Sequence, residues 1–164
     1  MVIQFLNRVF WLSVLILLQV LVFNYVNIAG YATPLLYVLF ILKLDSSVSR
    51  NSLLIWGFVL GFIMDMFCDT LGMHTSITVL IAFVRPYFLN LFKSSDIEGN
   101  IIPSFTSMGA FPFMKYVFYL IFIHHTLFYA VEYFSFSIFE IIFTAICSVV
   151  STLFFITCIE FVRR

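Results

Sequence analysis

An all-α polytopic integral membrane protein with about six transmembrane helices is predicted by three features of the sequence. Of 164 residues, 63% are hydrophobic and 10% charged, and the mean hydropathy is +1.15. A soluble domain of this size needs far more polar surface to cover its core. Nearly every twenty-residue window is apolar enough for hydrocarbon, which is about 30 Å thick and takes about 20 helical residues to cross. When six spans are drawn, the basic residues near their ends fall on one side. The formal net charge of zero points to no nucleic acid or other anionic partner.

The spans follow in order as a single transmembrane domain, 1–164: about 9–26, 28–44, 53–68, 75–92, 111–131 and 138–162. The first apolar run is longer than a signal-peptide core and has no small-residue cleavage site, so it is expected to be a retained helix. It leaves through a turn-like stretch at Asn27 and Gly30. The second segment is short and crosses only if "IAGYA" is counted in. "KLDSSVSRNS" is the first clearly polar loop. The third span is stopped at "DTLGMH", with Gly72 as the natural terminator. Span four holds Arg85-Pro86, read as a kink and an interfacial anchor. A connector from Lys93 to Gly109 is expected along the interface, and span five carries Pro112 in its first turn, where proline is tolerated. Span six closes the chain.

Orientation follows from the basic residues. With the amino terminus inside, Arg8, Lys43, Arg50, Lys93, Lys115, Arg163 and Arg164 all fall on the cytoplasmic side, as do both termini. Asp45, Asp96, Glu98 and Glu160 lie there too, and Glu160 is placed to pair with Arg163 or Arg164. Asp65, Asp69, His74, His124, His125, Glu132 and Glu140 fall in the outer half or just outside it. Counting 1.5 Å per residue puts Asp65 and His124 both about 18 to 20 Å deep, where they can meet across spans three and five. His74, His124, His125 and Glu140 form a candidate outer-side polar cluster.

One stretch is unusual. "GFVLGFIMDMFCDTLGMHT", Gly57 to Thr75, sets Gly57, Gly61, Asp65 and Asp69 on one helical face, followed by Leu71 and Gly72. The glycine pair lets another backbone approach closely. An aspartate facing lipid at mid-bilayer costs at least about 2.5 kcal/mol, so Asp65 must face protein or water. The face reads as a packing seam with a polar end, fixing how span three meets its neighbours or a partner helix. A bland alternative is a tight helix contact in which Asp65 hydrogen-bonds the break at "TLG".

This pattern, in the third of about six spans of a chain this long, resembles the rod shape-determining protein MreD family at Gly57, Gly61, Asp65, Leu71 and Gly72. "TPLLYVLFIL", Thr33 to Leu42, is similar to the family's second span. The resemblance implies a non-enzymatic component of the bacterial cell-elongation machinery in the inner (cytoplasmic) membrane. Its implied partners are an MreC-like bitopic protein, a RodA-like glycosyltransferase with its penicillin-binding transpeptidase, and, indirectly, MreB filaments. The family's distant fold relation to energy-coupling-factor transporters supplies an alternative, a six-helix vitamin-binding subunit.

Enzyme chemistry finds little purchase. Asp65 has no second intramembrane aspartate, and no HExxH motif or glycine-rich phosphate loop is present. His124 and His125 are adjacent and point about 100° apart on a helix, which prevents joint chelation of one metal. Cys68, Cys147 and Cys158 form no framework and serve as small apolar side chains. No catalytic residue, metal or cofactor is expected.

Overall fold

The computed structural model describes residues 2–26, 32–94, 99–132 and 138–162, and only the backbone of Glu140. The expected turn at Asn27 and Gly30, the placement of Asp96 and Glu98, the pairing of Glu160 with Arg163 or Arg164, and the side chain of Glu140 lie outside that description.

The fold is all-α. Among the described residues five helices are long and apolar enough to cross a membrane. They are α1 (Val2–Leu21), α3 (Arg50–Cys68), α4 (Met73–Phe92), α6 (Ala110–Glu132) and α7 (Ile138–Val162). Between them lie two short helices, α2 (Leu39–Leu42) and α5 (Phe105–Met108). The protein is therefore multi-pass, with five long helices where the sequence predicts about six.

The second segment accounts for the difference. It has no long helix; a 3-10 turn, Leu36–Val38, runs into the single turn of α2. Pro34 explains the start, because it lacks an N–H and disfavours helical backbone at the residue before it. At the other end Asp45 accepts the Ser47 N–H at 2.8 Å and closes a turn. What lies between is the centre of the protein: every residue from Leu35 to Leu42 is buried. All five long helices reach it. Gln19 of α1 and Thr152 of α7 bond its backbone, Trp56 of α3 packs on Phe40, His74 of α4 and His124 of α6 meet Tyr37, and Tyr116 of α6 bonds Leu42.

Such a segment survives at membrane depth only if its backbone polar groups are satisfied by protein. They are. The Leu36 N–H donates to Gln19 Oε1 at 2.7 Å, Gln19 Nε2 donates to the Pro34 carbonyl at 2.9 Å, and the Leu35 N–H donates to Thr152 Oγ1 at 3.2 Å. The Thr33 N–H donates to Ser148 Oγ at 3.1 Å. At the far end Tyr116 donates to the Leu42 carbonyl at 2.9 Å, and Arg85 donates to the carbonyl of Leu44.

The remaining boundaries have local causes. α1 begins seven residues earlier than the apolar run, taking Gln4, Asn7 and Arg8 into its first turns. Ser49 caps α3 by accepting the Ser52 N–H. α3 ends not at Gly72 but at Asp69, left-handed at φ 54°, and Gly72, at φ 79°, stands instead just before α4. The connector after α4 folds back onto the end of the bundle. Ser46 and Ile101 exchange hydrogen bonds, and the Phe105 N–H donates to Glu160.

Candidate functional site

The stretch Gly57–Thr75 is an antiparallel hairpin of α3 and α4. A Cβ built on Gly61 would run into Thr78 Oγ1 and the Thr75 backbone; one on Gly57 would lie 2.9 Å from Ala82 Cβ and 3.1 Å from the Thr78 carbonyl. The glycines are thus spent on the approach of α4. Thr78 Oγ1 stands 2.8 Å from the Gly57 carbonyl and 2.7 Å from that of His74, so its one hydrogen ties the two helices together.

Asp65 ends the seam by capping α4. Its Oδ1 accepts the His74 N–H at 2.9 Å and its Oδ2 the Thr75 N–H at 2.9 Å, and the hydroxyls of Thr70 and Thr75 donate to the same carboxylate. The nominal cap, Gly72, has no side chain to offer, and a carboxylate at a helix amino terminus also meets the positive end of the dipole. Asp65 and His124 do not meet, against the expectation from depth. Asp69 is exposed, and Leu71 stands at the hairpin tip at 106% relative exposure with Met66 and Phe67 also exposed.

The histidines are not an outer-facing cluster. His74, His124 and His125 are all buried. Tyr37 Oη lies 2.8 Å from His74 Nδ1 and 3.0 Å from His124 Nε2, joining α4 to α6 through the central segment. With one hydroxyl hydrogen, Tyr37 donates to one ring and accepts from the other. Among the described residues His124 Nδ1 has no hydrogen-bond partner. Placing the His124 proton on Nε2 leaves that atom a bare acceptor instead of a bare N–H, so the tautomer is assigned with Tyr37 donating to His74. His125 turns away: its Nδ1 donates to the Ile121 carbonyl at 2.9 Å, and Nε2 stands 3.1 Å from Thr152 Oγ1. Among the described residues no group of three His, Cys, Asp or Glu is arranged to hold a metal.

No protein-family model, curated protein or solved structure matches the chain. The site is therefore read from its own geometry.

Arg85 is a residue whose role the sequence misassigns. Instead of reaching for the interface it is 2% exposed, and it donates to Tyr116 Oη at 3.1 Å and to the carbonyls of Leu42 and Leu44. Five donors on one rigid fork suit it to closing a helix end that has lost its own hydrogen bonds. Lys43 and Glu160, both expected on the cytoplasmic side, form a largely buried ion pair linking the end of α2 to α7. Gln19 and Tyr37, which organise the centre, carry no motif that marks them in the sequence. The one available signal was Thr33-Pro34 inside an apolar run, which forbids a continuous helix and so demands side-chain partners for the backbone.

Proposed function

We propose that the protein is a non-enzymatic membrane scaffold of the bacterial cell-elongation machinery, in the inner membrane, working with MreC-like, RodA-like and transpeptidase partners and indirectly with MreB. The observation that supports this reading is the role of the family-like residues. Gly57, Gly61 and Asp65 together determine how α3 and α4 lock, so the resemblance rests on residues that specify a fold. The interior polar groups are likewise occupied in holding backbone together: Asp65 at α4, Gln19 and Thr152 at the second segment, and Arg85 at its end. That is the work of a rigid platform. Of the five family-like residues, Leu71 is the exposed one, at the hairpin tip beside exposed Met66, Phe67 and Asp69, and that tip is open to a partner.

The alternative of a vitamin-binding subunit draws on an outer-facing cavity lined by Asp65, His74, His124 and Glu140. Asp65, His74 and His124 are buried and bonded within the bundle, so the scaffold reading is preferred.

Affinity purification of the tagged full chain from its own membranes, with mass spectrometry, tests this. Recovery of MreC-like, RodA-like and penicillin-binding components is the expected result. Recovery of a membrane coupling subunit with paired ATPases would overturn it.

A further inference from the structure

A cavity of about 320 Å³ lies between α1 and the second segment, at the end of the bundle that carries the basic residues. Its mouth is polar, with Gln4, Asn7 and Arg8 of α1 facing Lys43 and Asp45. Lys43 is held by Glu160, and Asp45 is held by the Ser47 N–H. Arg8 makes no ion pair among the described residues. Deeper in, the walls turn apolar: Trp11, Leu15 and Leu18 on one side, Leu39 and Phe40 on the other. Gln4 to Leu18 spans about 21 Å along the helix, somewhat more than one leaflet's half share of a hydrocarbon layer about 30 Å thick.

We propose that this cavity binds one anionic phospholipid, its phosphate at Arg8 and one acyl chain along the α1 wall. Charge and shape agree on that occupant. A basic side chain at the membrane surface favours anionic headgroups, and the gradient from polar mouth to apolar floor is that of a lipid. A free anion would use the mouth and leave the apolar floor without purpose.

Trp11 stands in the wall and serves as reporter, since the chain has only two tryptophans. The full chain carrying Trp56→Phe is reconstituted in phosphatidylcholine bilayers doped with a small fraction of brominated-chain phosphatidylglycerol or phosphatidylcholine. The expected result is roughly fivefold tighter apparent binding of phosphatidylglycerol, the preference one basic group at the surface supplies. Arg8→Gln brings the two lipids level, and Val14→Phe, which fills the cavity, removes saturable quenching by either; circular dichroism checks that both variants keep their helix. Equal quenching by the two lipids with Arg8 present overturns the proposal, as does a preference that survives both substitutions. Relief of quenching by inorganic phosphate alone, or by raising the protein density in the bilayer, also overturns it, in favour of a free anion or a second copy.

Discussion

The carboxylate of Asp65 accepts the backbone N–H of His74 at 2.9 Å, from nine residues earlier in the chain. This one contact closes α4 by means of α3, and it makes an aspartate in an apolar helix a structural necessity. Asp65→Leu leaves two N–H groups and two hydroxyls without their acceptor. At about 0.6–1 kcal/mol for each of four hydrogen bonds, the loss is roughly 2–4 kcal/mol. Thermal unfolding of the purified variant in detergent should show it as a lowered midpoint. Asp65→Asn, which keeps one acceptor oxygen, should fall between the two.

The two glycines are not equivalent. A methyl at Gly61 overlaps Thr75 backbone deeply, whereas a methyl at Gly57 would lie 2.9 Å from Ala82 Cβ and 3.1 Å from the Thr78 carbonyl, a shallower overlap that a small shift of α4 relieves. Overpacking costs about 1–3 kcal/mol. Gly61→Ala should lie at the upper end and Gly57→Ala at the lower, read as the difference in unfolding midpoint between the variants. Equal effects would show that the helices do not approach as described.

Gln19→Leu should cost more than Tyr37→Phe. The first strips the partners from the Leu36 and Tyr37 N–H groups and the Pro34 carbonyl, in a segment with no helical ladder of its own; the second removes one hydroxyl from between two rings. Each buried group left unpaired costs about 1–3 kcal/mol. Hydrogen exchange provides the local check: amide protection at Leu36 and Tyr37 should collapse in Gln19→Leu and persist in Tyr37→Phe.

Lys43 and Glu160 should show strong coupling. Removing one member of a buried pair costs about 3–5 kcal/mol because the other charge is stranded, while replacing both with apolar groups is far milder. Lys43→Met is therefore expected to be worse than Lys43→Met combined with Glu160→Leu. Glu160 also receives the Phe105 N–H at 3.0 Å, so part of the loss should remain in the double variant. A double-mutant cycle on unfolding midpoints measures both quantities.

Much of the architecture was legible because hydropathy reports directly on lipid exposure. Four of the five long helices lie within three residues of their expected bounds, while α1, Val2–Leu21, is displaced toward the amino terminus from the expected 9–26. The glycine seam was legible too, since only glycine at that spacing permits such close approach. The second segment was not, because an apolar run buried in protein looks the same as one facing lipid; only Pro34 distinguished them. The roles of Arg85 and the histidines were hidden for a related reason. Counting along helices gives depth but not the direction a side chain faces, and each of these turned inward to serve backbone groups or neighbours on other elements. Asp65 was half legible: its need for partners followed from burial, whereas its choice of the α4 amino terminus over His124 depended on where α3 stopped.

The Gly57–Gly61–Asp65 seam is internal to one chain, and one comparison tests that directly. The isolated Gly61→Leu protein should be examined by fluorescence-detected size exclusion with a thermal ramp, beside the unaltered chain. The prediction is loss of the monodisperse peak at temperatures where the unaltered protein is intact. A variant as monodisperse and as heat-resistant as its parent would contradict the account and place the seam on a surface meant for another protein.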